Sequence, residues 1–141
     1  LTKAGIKVFI ASNQSGIAYG LFDYNMLFAM HKKLLHETEI LGGRVSGFFF
    51  CPFLTGPCRK PNPGMLVDIA NRAHIDLETT PFIGDAMRDL EAAIAINAIP
   101  ILVRTGKGTS TLNSGEVPDH VQVHANLYDA VDSLLKQHTV N

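Results

Sequence analysis

Four short apolar runs, each stopping abruptly at small or polar residues, constrain this chain more than any other feature. They are Ile6–Ile10, Ser46–Phe50, Thr80–Ile83 and Ile99–Val103. Runs of this length bounded by turn residues read as buried strands. Segments of helical period separate them. One carries Leu27, Met30, Leu34 and Leu41, and a second Met65, Leu66, Ile69 and Ala73. A third is Leu90–Ile96, and the last carries Leu127, Ala130, Val131, Leu134 and Leu135. Strands alternating with helices imply an α/β fold of three layers, with a mainly parallel central sheet and helices on both faces. The 141 residues suffice for one domain with its own core, and no repeat or sizeable cap domain is visible.

Punctuation residues set the expected boundaries. Asp23 is placed to cap the first long helix, which Gly42-Gly43 ends. Asn62 and Pro63 suit the cap and first position of the second helix, and Asn126 caps the last. Arg104–Asp119 reads as a loop, and His120–Val123 as a short edge strand. Leu1–Gly5 resembles the last turn of a helix with Gly5 at its C-cap, which predicts a further segment, including one more strand, ahead of Leu1.

Composition narrows the function. A formal net charge of −1 argues against a protein that grips nucleic acid through a basic surface. No apolar run approaches a membrane span, and the opening residues lack the apolar core of a secretory signal. Two cysteines are too few for a disulfide framework, so reduced thiols and a cytoplasmic setting are expected. The helices use up their apolar residues in the core, which predicts a monomer.

Three strand ends carry the chemistry. In open α/β sheets ligands bind outside the carboxyl ends of strands. The first run delivers Ser12, Asn13 and Gln14, and the amides that follow could cradle an oxyanion. The loop after the second carries Arg59 and Lys60, cations suited to phosphate. The third ends at Gly84-Asp85, where a carboxylate could hold Mg²⁺ with little to obstruct it. Asp89 lies one turn beyond Asp85. It could orient Lys60 or a metal-bound water, or simply favour a helix N-terminus. Lys107, between two glycines, is either a phosphate-screening residue or an exposed loop lysine.

In this order, the segments SNQSGIAYG, CRKPNPGM, IGDAMRD and LVRTGKG resemble the haloacid dehalogenase (HAD) superfamily of phosphatases, subfamily IIIA. That subfamily holds D-glycero-D-manno-heptose 1,7-bisphosphate phosphatase and histidinol-phosphate phosphatase. The resemblance implies a Rossmann-like fold and a Mg²⁺-dependent phosphatase acting on a small phosphorylated sugar. Heptose bisphosphate is the first expected substrate and histidinol phosphate the second. It assigns Ser12 and Lys60 to the phosphoryl oxygens, Asn13, Gln14 and Arg59 to substrate, and Asp85 to Mg²⁺ with Asp89 behind it. The family's nucleophile and acid/base form a D-x-D pair, which the 141 residues do not contain. The pair is expected upstream of Leu1; without it, the chain would be a non-catalytic phosphate-binding module. Relatives also bind zinc in the loop before the lysine. Here only Cys51 and Cys58 match, with Phe53 in place of a histidine, so zinc is not expected.

Overall fold

The computed structural model describes residues 1–138. The chain divides into two units, Leu1–Arg59 and Lys60–Asn141. Every strand pairing is parallel, as the alternating pattern requires.

In the first unit a single 3-10 turn, Thr2–Ala4, ends at Gly5, whose φ of 73° is the left-handed cap read from the sequence. β1 (Phe9–Asn13) pairs with β2 (Gly47–Cys51), Phe9 opposite Gly47 and Asn13 opposite Cys51. β1 starts and ends three residues later than the apolar run, because its ladder continues through Ser12 and Asn13. These polar residues therefore lie on the strand, not beyond it. α1 (Tyr24–Ile40) makes the crossover. Asp23 caps it as expected, accepting the Met26 N–H at 2.9 Å.

Side-chain alternation along β2 splits three consecutive phenylalanines between two faces. Phe48 stacks on His31 with ring centroids 4.2 Å apart, and Phe50 meets Phe28 and Tyr24 at 6.1 and 6.2 Å. Phe49 turns instead to Phe9, 6.2 Å away. α1 thus covers the Phe48–Phe50 face, with Leu27 buried. Met30 and Leu34 remain 50% and 42% exposed, and Met26 and Phe28 are also exposed. That corrects the expectation that the helices leave no apolar surface over, because aromatic rings take the inward positions.

The second unit contains α2 (Gly64–Ala73), β3 (Pro81–Gly84), α3 (Met87–Ile94), β4 (Ile99–Val103), α4 (Gly108–Asn113), β5 (Gln122–His124) and α5 (Leu127–His138). The strand order is β3-β4-β5, with Gly84 level with Leu102 and Val103 level with His124. Leu102 packs with Leu90 of α3 and Val121, while Ile101 and Val103 pack with Ala130 of α5. Alternate β4 residues face opposite helices, so this unit is three-layered in itself.

Several boundaries differ from expectation. α2 starts one residue late: its first bond runs from the Val67 N–H to the Pro63 carbonyl at 3.0 Å, so Pro63 and not Asn62 is the cap. α3 begins at Met87, three residues before Leu90, because Asp89 caps it from inside its first turn. The glycine- and serine-rich loop contains α4, whose six residues hold too little apolar pattern to be seen in advance. β5 is shifted towards His124. Asn126 caps α5 as expected, accepting the Asp129 N–H at 2.9 Å. Among the described residues no helix is long and apolar enough to cross a membrane.

The His31–Phe48 stack has a pH signature. Burial holds the His31 imidazole below its ordinary range. The unfolded chain therefore binds that proton more readily, and stability falls as pH drops through about 6.5 and below. Urea unfolding midpoints at about pH 5 and about pH 7.5 should differ more for the wild type than for His31→Gln. Equal differences in the two proteins would show that His31 protonates freely in the fold.

Candidate active site

Ser12, Asn13, Gln14 and Arg59 belong to the first unit, and Lys60, Asp85 and Asp89 to the second. At the tip of β1, the Gln14 side-chain amide donates to Ser12 Oγ at 2.7 Å. The bond occupies one acceptor position of the hydroxyl and leaves its proton to be donated elsewhere. The Gln14 backbone N–H goes to the Cys51 carbonyl at 2.8 Å, extending the ladder beyond β1. It is therefore spent on the sheet, and an oxyanion cradle following Ser12 cannot use it. Asn13 is the last residue of β1.

The loop after β2 is closed on itself. Cys51 and Cys58 form a disulfide, which corrects the expectation of reduced thiols. The turn brings their Cα atoms to 5.5 Å, within the span a disulfide bridges. Sequence spacing alone cannot reveal such an approach. The Arg59 N–H donates to the Gly56 carbonyl and its guanidinium to the Phe53 carbonyl, both at 3.1 Å. Arg59 is thus folded back along its own loop, with further guanidinium donors to spare.

The second unit brings two predicted residues together. Lys60 Nζ lies 2.6 Å from Asp89 Oδ1, with both side chains about nine-tenths buried. The other carboxylate oxygen, Oδ2, accepts the Ala86 N–H at 3.1 Å. Asp89 thus pairs with the lysine and also satisfies an orphan amide of the α3 N-terminus. The ammonium also sits 5.5 Å from the centre of the Phe82 ring, a cation–π distance. Gly84 makes room for this group: a Cβ there would press on the Asp89 side chain, 2.6 Å from Cγ and 2.7 Å from Oδ2.

Asp85 follows the last residue of β3 and is half-buried. Its Oδ2 accepts the Lys107 N–H at 2.8 Å, and its carbonyl accepts Thr111 Oγ1 at 2.8 Å. Lys107 is exposed, and it is its backbone that serves Asp85. Gly106, the Lys107 amide and Thr111 were missed in the sequence. The available signal was a glycine pair spaced by one residue directly after a strand. Among the described residues no three His, Cys, Asp or Glu side chains cluster as a metal cage. A partly exposed carboxylate at a strand end fits a hard cation that takes one or two carboxylates and completes its shell with phosphate and water, as Mg²⁺ does.

A cation locked beside one strand end and a carboxylate held at the same end suit phosphoryl chemistry, and comparison with known proteins agrees. Residues 57–130 match the HAD-hydrolase-like family model. The chain belongs to the HAD superfamily of hydrolases, among its phosphatases. Within it, the chain is similar to the D-glycero-β-D-manno-heptose-1,7-bisphosphate 7-phosphatase of Bordetella bronchiseptica, 43% identical over 142 residues that cover 97% of this chain and 78% of the relative. The Pseudomonas putida protein of the same name is 48% identical over 124 residues, covering 84% and 69%. A crystal structure of the B. bronchiseptica D,D-heptose 1,7-bisphosphate phosphatase, complexed with magnesium and phosphate, superposes with a TM-score of 0.94 at 42% identity. That match covers 97% of this chain and 78% of the other.

The Lys60–Asp89 pair should behave as a unit. Lys60→Met, which leaves a buried carboxylate without its cation, should cost about 3–5 kcal/mol. Adding Asp89→Asn should recover at least half of that loss, read by urea unfolding in a double-mutant cycle. Strict additivity of the two changes would mean that the pair is not coupled.

Proposed function

We propose that this chain supplies the phosphate- and metal-binding residues for Mg²⁺-dependent hydrolysis of D-glycero-D-manno-heptose 1,7-bisphosphate. The observation that carries the reading is a fixed Lys60 and a fixed Asp85 at the end of one strand, in a chain related over nearly its whole length to heptose bisphosphate phosphatases. The magnesium and phosphate of the B. bronchiseptica complex support the choice of cation and ligand. The net charge of −1 favours a small substrate over nucleic acid.

Each residue has a defined task in this reading. Ser12, oriented by Gln14, donates its hydroxyl proton to a non-bridging phosphoryl oxygen. Lys60 offsets the negative charge that develops on the phosphoryl group, and Asp89 keeps its ammonium in place. Asp85 is the ligand for Mg²⁺, which when bound screens the phosphate charge and orients the phosphoryl group. Asn13 and Arg59 contact the rest of the substrate. The chemistry follows the family's route: an aspartate attacks phosphorus, the sugar oxygen departs, and water hydrolyses the aspartyl-phosphate. No residue among the 141 is assigned as that nucleophile.

The test is phosphate release by the full-length polypeptide with heptose bisphosphate, histidinol phosphate and simple hexose phosphates. Heptose bisphosphate should give the highest kcat/KM, and EDTA should abolish turnover. Asp85→Asn should lower kcat/KM at least ~10²-fold, the scale for losing one electrostatic partner of the transition state. Rates that Asp85→Asn and EDTA both leave unchanged would remove Asp85 and the metal from the mechanism.

A further inference from the structure

We infer that the loop after β4 is a clamp on Asp85, with Gly106 as the positioning residue that decides which divalent cation the carboxylate accepts. The inference rests on the proposal that Asp85 binds the metal, and it adds how the chain directs that carboxylate.

Asp85 is held at both ends. The Lys107 N–H takes Oδ2, and Thr111 Oγ1 takes the backbone carbonyl, each at 2.8 Å. Among the described residues, Oδ1 accepts no hydrogen bond. The two carboxylate oxygens are therefore inequivalent: one is committed to the loop and one is presented outward.

The clamp depends on a close backbone approach. Gly106 has φ +60°, a conformation other residues rarely adopt. A Cβ at that position would collide with Asp85 Oδ2 and stand 3.1 Å from its Cγ. The loop cannot retreat to make room. A Cβ at Gly108 would run into the Val103 carbonyl, so the loop lies directly on the end of β4. The Arg104 N–H continues the ladder to the His124 carbonyl at 2.9 Å. The Arg104 carbonyl in turn accepts the Thr109 N–H at 3.2 Å and Thr109 Oγ1 at 3.1 Å. The loop is therefore stiffer than the carboxylate it holds, and an added Cβ must displace the carboxylate.

Cation choice follows from the inequivalent oxygens. Mg²⁺ demands near-octahedral geometry from single oxygen ligands, whereas Ca²⁺ tolerates bidentate carboxylates and irregular shells. Committing Oδ2 to an amide leaves one oxygen for the metal, which suits Mg²⁺. Releasing the carboxylate removes that bias.

The experiment is calorimetric titration of the phosphate-free full-length protein with Mg²⁺ and, separately, Ca²⁺. Gly106→Ala should weaken Mg²⁺ binding about tenfold, the lower end for losing a residue that orients a metal ligand, and Ca²⁺ binding less. Gly115→Ala is the control. Gly115 also has a positive φ, 76°, but a Cβ there meets nothing within 4 Å. It carries the same kind of backbone strain without touching Asp85, and its Mg²⁺ and Ca²⁺ affinities should match the wild type. Wild-type Mg²⁺ affinity and Mg²⁺/Ca²⁺ ratio in Gly106→Ala would overturn the clamp while leaving Asp85 as a ligand. Undiminished Mg²⁺ binding in Asp85→Asn would instead overturn the reading on which the clamp rests. Should Gly106→Ala fail to fold, Thr111→Val loosens the other grip. An unchanged Mg²⁺/Ca²⁺ ratio there overturns the clamp equally.

Discussion

A lysine and an aspartate withdrawn from water determine how the second unit presents its charge. Burying either ion alone would cost several kcal/mol, and the 2.6 Å Lys60–Asp89 contact offsets that only because other groups complete it. The Ala86 amide takes the second carboxylate oxygen, and the Phe82 ring lies near the ammonium. What the pair fixes above all is place. A lysine has four rotatable side-chain bonds and loses up to about 2 kcal/mol of rotamer entropy when held. Asp89 imposes that restriction in the fold, so the ammonium would need no further ordering to meet an anion. The same carboxylate caps the start of α3, so one side chain serves both the helix N-terminus and Lys60.

Much of this was legible from residue pattern. The strand-helix alternation, the caps at Asp23 and Asn126 and the third strand end at Gly84-Asp85 follow from local rules that tertiary packing left standing. Where expectation and structure part, the cause is often a contact distant in sequence or an unusual cap. α3 starts early because a carboxylate inside its first turn reaches back to Ala86, where an ordinary capping residue is absent. α4 was hidden because its six residues are mostly Gly, Ser, Thr and Asn, and because its Thr111 is tied to Asp85, 26 positions away. The cysteine pairing depended on the turn between them. No periodicity signals that Phe28, Met30 and Leu34 stay partly exposed, since the spacing that marks a helix face does not say which rings will fill it.

Arg59 and Lys60 adjoin in sequence and are held by different means. Arg59 belongs to a loop closed by the Cys51–Cys58 bond and by its own donation to Phe53. Lys60 is fixed by an ion pair. A guanidinium with donors to spare can adjust to ligands of different shape, whereas a buried ammonium meets one invariant group at one place. With the roles proposed for them, that division would separate tolerance towards the substrate from rigidity towards the phosphate.

Two aspartates of the second unit, Asp85 and Asp89, lie against bare backbone. Gly84 leaves the space that Asp89 fills, and Gly106 the space that Asp85 fills. Glycine is the one residue for which every coding change adds a β-carbon, so neither position has a conservative neighbour in sequence space. A random library should therefore show near-complete intolerance at both positions, and at Gly108, where a Cβ would meet the Val103 carbonyl. New specificity would have to arise through longer side chains elsewhere, because the surroundings of the carboxylates offer no small step to take.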